Sequence, residues 1–207
     1  MSDSGTGLPP SGGSMKDRTT RLLGGALGSA IVMIALLSVM WALEIIDYID
    51  NGALDRYGII AHEPDGLPGI LFAPFLHAGF AHLMANSVPL LILGFVAAIR
   101  GLGRFAAASL VIILISGAGV WLTAPPNTLT IGASGLVFGY FGYVVARGLF
   151  DRRTLDIVLG VIVAVLYYSI LWGALPNDPS VSWQGHLFGL IGGVVAAWAL
   201  RRRREVS

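Results

Sequence analysis

The chain has no cysteine and little charge: of its 207 residues, 12% are Asp, Glu, Lys or Arg. Without a thiol there is no disulfide framework, thiolate nucleophile, thiolate zinc site or iron–sulfur cluster. Water-soluble domains carry about 25% charged residues, so half that fraction argues against an ordinary soluble enzyme and against a disordered chain. No basic run is interleaved with aromatics, which leaves a nucleic-acid role without support. What is abundant is apolar surface, at 55% of residues and a mean hydropathy of +0.77. The 28 glycines follow no collagen period and lie mainly inside apolar stretches, where membrane helices tolerate them.

A membrane helix needs about 20 largely apolar residues. Six stretches are read as spans, at about 22–43, 83–99, 105–124, 134–146, 157–175 and 185–200. The expected fold class is an all-α membrane protein of six transmembrane helices, one domain over 21–200. Residues 1–20, rich in Gly, Ser and Pro, read as a disordered cytoplasmic tail, and 201–207 as a basic cytoplasmic one. Lys and Arg favour the cytoplasmic side. With the N-terminus inside, 12 of the 13 fall there and only Arg56 outside, so both termini are expected inside. The first connection, about 44–81, mixes Asp, Tyr, Phe and Pro, which suits a structure half sunk in the outer leaflet.

Strongly polar residues within a membrane are costly and point to function. His82 and Asn86 open the second span, Ser134 the fourth and His186 the sixth. Even-numbered spans run from outside to inside, so topology alone gathers these four near the outer face. Gly135, Gly139 and Gly142 mark the fourth span, and Gly185, Gly189 and Gly193 the sixth. Small residues at that spacing let helix backbones approach closely. Packed through these stripes, Ser134 and His186 share a depth. A hydroxyl needs a base to become a nucleophile, and a neutral imidazole is one. No acid sits at that depth to orient the histidine, so a Ser–His dyad is expected. The Ser134 amide at its helix start, with His82 and Asn86 four apart on one face, would supply donors for an oxyanion.

Each feature alone has a plainer reading, as small-residue packing or a helix-to-helix hydrogen bond; the combination carries the inference. Three stretches, FLHAGFAHLMANS at 75–87, GASG at 132–135 and GHLFGLIGG at 185–193, resemble the rhomboid family of intramembrane serine proteases. The resemblance implies a rhomboid-like bundle around a water-filled cavity open to the outer face. It implies Ser134 as nucleophile, His186 as general base, and His82, Asn86 and the Ser134 N–H as oxyanion donors. Structural roles fall to His77, Gly132, Gly135, Gly189 and Gly193. It implies cleavage of single-span membrane proteins in or near their transmembrane segment, with no metal or cofactor. Partners would be those transmembrane substrates and the lipid bilayer, in a bacterial inner membrane. A substrate helix is expected to enter between spans two and five, with 176–183 as a lid. The Trp-Arg pair that many members carry in the first loop is not matched here. The rival readings are a catalytically silent binder of membrane segments and a proton-coupled transporter.

Overall fold

The computed structural model describes residues 15–178 and 180–201, with side chains described from residue 24 onward. Among the described residues, seven α-helices and one short ladder, with short 3-10 segments between them, make up the fold. The helices are α1 (Met15–Ile49), α2 (Gly69–Phe72), α3 (Phe80–Ala98), α4 (Leu102–Thr123), α5 (Ser134–Asp151), α6 (Thr154–Tyr167) and α7 (Trp183–Ala199). A two-stranded antiparallel ladder joins β1 (Ile59–Ile60) to β2 (Leu129–Thr130), pairing Ile59 with Thr130 and Ile60 with Leu129. A 3-10 segment, Tyr168–Ala174, continues α6. Residues 1–14 and 202–207, which hold most of the expected tails, lie outside the described residues.

The expectation of six transmembrane helices is corrected. Among the described residues, four stretches are long and apolar enough to cross a membrane: Gly24–Ile49, Phe80–Ala98, Leu102–Thr123 and Thr154–Ala174. The two that fall short are α5 and α7. At 17 residues, α7 is about 25 Å long, short of the ~30 Å hydrocarbon core. Ser134, Tyr140, Tyr143, Arg147 and Asp151 dilute the apolar character of α5. The physical reason lies in their position. These two helices form the most extensive helix pair, and most of α5 is buried in protein. A helix walled in by others is solvated by side chains, so its sequence need not satisfy lipid.

Glycine sets how close the pair comes. A Cβ at Gly189 would run into the Gly135 carbonyl, and one at Gly193 into that of Gly139. The residue order shows that α5 and α7 run parallel in direct backbone contact. The main core surrounds α5 and takes Leu83, Leu90, Leu93, Ile112, Tyr140, Tyr143 and Val144. The buried Tyr140 hydroxyl is satisfied by Ser109 Oγ at 2.8 Å.

At the far end from Ser134, three helix ends meet on one acid. Asp156 is 1% exposed. Arg100 reaches it with Nε and Nη2, each at 3.0 Å. Arg147 Nε lies 3.2 Å away as an ion pair without hydrogen-bond alignment, and its other nitrogens donate to the Ala97 and Val96 carbonyls. This cluster ties α3, α5 and α6 together. A bidentate pair positions better than a single contact does.

Candidate active site

Ser134 is the first residue of α5, and Ala133 before it places no side-chain cap on the helix start. The amides of that first turn therefore remain open donors. Its approach is fixed by the connection between α1 and α3. The Gly132 N–H donates to the Ala73 carbonyl at 2.9 Å, the Ala133 N–H donates to His77 Nε2 at 3.2 Å, and the β1–β2 ladder holds the residues just upstream. Gly132 has φ +125°, and a Cβ there would stand 2.6 Å from His82 Cε1 and 2.8 Å from Nε2. Only glycine fits between this turn and the imidazole.

His77 is 2% exposed. Since Nε2 accepts, the neutral ring carries its proton on Nδ1, which faces the Phe75 carbonyl at a geometry short of a full hydrogen bond. Burial, with His82 beside it, pushes the His77 pKa down to about 4. It is a neutral structural acceptor at physiological pH. The His77 and His82 rings meet edge-on, 5.2 Å between centroids.

His82 lies in the first turn of α3. Its Nδ1 accepts the Ala78 N–H at 3.4 Å, so in the neutral ring Nε2 carries the proton and is a donor. Asn86, one turn on, donates through Nδ2 to the His82 carbonyl at 3.0 Å.

His186 lies in the first turn of α7, where Ser182 caps the helix through its hydroxyl. The ring is set by two contacts. Nδ1 lies 2.8 Å from the Gly173 carbonyl. A carbonyl only accepts, so Nδ1 is protonated and Nε2 keeps its lone pair, the form a general base needs. Phe138 stacks on the ring at 4.0 Å and 10°. A Cβ at Gly173 would stand 3.2 Å from His186 Nδ1 and 3.0 Å from Phe138 Cζ, so glycine lets the 3-10 segment come this close. Behind the turn, the buried Ser116 Oγ donates to the Gly185 carbonyl at 2.8 Å.

Ser134, His186 and His82 line one open cavity of about 940 Å³, together with Gln184, Trp183 and the loop from Pro176. Asn86 is not among its lining residues. Among the described residues, no hydrogen bond joins Ser134 Oγ to His186. Asp178 is the one carboxylate lining the cavity. Hydrogen bonds from the Ser180 hydroxyl and amide hold its carboxyl below the usual range.

Sequence reasoning missed Ser116, Phe138 and Gly173. The cost of a polar side chain inside an apolar run, which singled out Asn86, applies equally to Ser116. Gly173 and Phe138 carry no local signal, since their roles exist only once α5, α7 and the 3-10 segment meet.

These features define a polytopic helical membrane protein with an open cavity onto which Ser134, His82 and His186 face. Residues 65–203 match the family model described as a rhomboid domain, and the chain belongs to the rhomboid family. It is 43% identical over 176 residues to the uncharacterized protein Rv1337 of Mycobacterium tuberculosis, covering 81% of this chain and 73% of that one. It is 29% identical over 134 residues to "Putative rhomboid protease YdcA" of Bacillus subtilis, covering 63% and 65%. It is 30% identical over 129 residues to a "Putative rhomboid protein" of Acanthamoeba polyphaga mimivirus, covering 60% and 70%.

Proposed function

We propose that this chain is an intramembrane serine endopeptidase that cleaves single-span membrane proteins in or near their transmembrane segment. Ser134 Oγ attacks the scissile carbonyl carbon and passes its proton to His186 Nε2. The new oxyanion is met by the Ser134 amide and the His82 Nε2–H. Asn86 has one amide hydrogen on the His82 carbonyl and a second to offer. Collapse breaks the C–N bond, and the His186 proton goes to the leaving amine. Water, deprotonated in turn by His186, then hydrolyses the acyl-enzyme. The Gly173 carbonyl does for His186 what a carboxylate does in a triad: it sets the tautomer and the ring orientation.

One observation carries this reading: Ser134, His186 and His82 open onto a single cavity, and His186 is held in its basic form. Arg100, Arg147, Arg152 and Arg153 cluster at the opposite end of the bundle, so the positive-inside tendency turns the cavity outward. The relatives in bacteria fit an inner-membrane location. The substrate helix would enter beside α6 and the 3-10 segment that continues it, which leave Val165, Leu166, Tyr168 and Trp172 exposed.

The test is a fluorophosphonate probe followed by cleavage of a panel of single-span substrates. Labelling at Ser134, lost in His186→Ala, together with cleavage abolished in Ser134→Ala at unchanged Tm, is the expected result. The absent Ser134–His186 hydrogen bond favours a second reading, a silent binder of membrane segments. A well-folded protein that neither labels nor cleaves would establish that reading instead. Catalytic hydrogen bonds often tighten only in the substrate complex, and this is why labelling decides the matter.

A further inference from the structure

Three carboxylates gather where the end of α1 meets the start of α3, outside the Ser134 cavity. Glu44 and Asp47 are three residues apart, on one face of α1, and are 4% and 7% exposed. Beyond the helix, Asn51 and Gly52 take left-handed backbones, at φ 54° and 81°, and reverse the chain. Asp47 Oδ1 accepts the Leu54 N–H at 2.6 Å, which draws Asp55 back toward the helix end. The Gly79 amide, at the N-cap of α3, faces the Glu44 carboxylate. Trp41 and Tyr48 pack on Phe80 alongside, at 6.1 Å and 5.5 Å between ring centroids.

The polar accounting does not close. Glu44 Oε2 and Asp55 Oδ1 are buried and have no hydrogen-bond partner. Among the described residues no cation answers the charge. Arg56 turns its guanidinium to Tyr57, 3.1 Å from the hydroxyl and 5.0 Å from the ring centroid, and the neighbouring Asp50 is exposed. Buried charge without a partner is neutralised rather than tolerated. Carboxylates sharing a site retain a proton between them. Burial and the Asp47 charge hold the Asp55 carboxyl above its usual range.

We propose that Glu44, Asp47 and Asp55 form a site at which the Asp55 carboxyl holds a proton at neutral pH and locks the first loop to α1 and to the N-cap of α3. The proton supplies the donor that the two orphan oxygens lack. Its loss at high pH leaves three neighbouring charges, which loosen the loop and, through Gly79, the segment that carries His82. The folded chain holds this proton more tightly than the unfolded chain does. The site's contribution to stability is therefore full at low pH and is lost as pH rises through the folded-state titration. His77 titrates with the opposite sign, so the effect is read as the difference between variant and wild type, in which His77 cancels.

The experiment uses the full chain in detergent, with Asp55→Asn and Glu44→Gln, each keeping shape and an acceptor. At about pH 8 each variant should melt about 2–4 °C above wild type, and the gain should vanish toward about pH 4 as the wild-type acids protonate. Infrared difference spectra should show a protonated carboxyl in the wild type at neutral pH that is absent in Asp55→Asn. Variants that melt at or below the wild-type temperature at high pH, or a missing carboxyl band, would overturn the proposal. So would calcium raising the wild-type Tm but not that of Glu44→Gln, which would make a metal cation the ligand.

Discussion

Gly189→Ala tests the link between backbone contact and chemistry. The glycine stripes leave no room for a methyl group. At Gly142, an added Cβ would stand 2.6 Å from the Leu190 carbonyl oxygen, against 3.4 Å where ordinary contact begins, a deficit of 0.8 Å. At Gly189 the overlap with the Gly135 carbonyl is deeper. Backbone cannot rotate away as a side chain can, so α5 and α7 must part by about 1 Å in response to such overpacking. Gly135 follows Ser134 directly, and Gly189 lies one turn after His186. The parting is therefore transmitted to the pair proposed to exchange a proton. Overpacking costs about 1–3 kcal/mol, and the better helix propensity of Ala returns up to ~1 kcal/mol. Stability should fall by no more than about 10 °C of Tm. A misplacement of about 1 Å at reacting groups costs roughly 10²-fold in rate. The expected result is a loss of about two orders of magnitude in kcat/KM, and in fluorophosphonate labelling rate, from a protein that still folds. Gly103→Ala is the control, since nothing lies within 4 Å of its added Cβ; it should be neutral or slightly stabilising. Gly189→Ala with wild-type kcat/KM would refute the claim that this contact positions the site.

Two further outcomes follow from the surroundings of the pair. Ser116→Ala removes the donor to the Gly185 carbonyl; it should cost about 1–3 kcal/mol of stability, measured by detergent thermal melts, and lower kcat more than it changes KM, because Ser116 positions the first turn of α7 and touches no substrate. His77 gives a pH signature. Its pKa drops from 6.5 to about 4 on folding, worth at most about 3 kcal/mol. The unfolded chain protonates first, so this contribution is intact above pH 6.5 and is lost as pH falls toward 4. His77→Gln keeps an acceptor near the Ala133 N–H but cannot titrate. It should retain activity and flatten Tm against pH across that window, and an unchanged slope would remove His77 as the cause.

The sequence announces the residues of this site better than the elements that hold them. Ser134, His82 and His186 stand out because each is polar in a chain that otherwise avoids polarity, a cost legible one residue at a time; the same cost singles out Asn86, which does not line the cavity. The same logic misjudged α5 and α7 as spans. A glycine-rich apolar run reads alike whether it faces lipid or another helix, and only the partner's position decides which. The loop after α1 was legible as interfacial material but not as the clamp that fixes Gly132 and Ala133, since that clamp is made of backbone: two ladder pairs, the Ala73 carbonyl and one imidazole nitrogen. Backbone hydrogen bonds leave no trace in side-chain identity. Glycine is the exception. Gly66 and Gly69 lie against the backbone of Ile60 and Gly58, and Gly173 against His186. Where a glycine sits outside any helix stripe, it marks either a close approach, as at these three, or a left-handed backbone in open space, as at Gly79 and Gly101, and the fold alone settles which. This is why His186 could be proposed from the chain as a base, while the Gly173 carbonyl that fixes its tautomer could not.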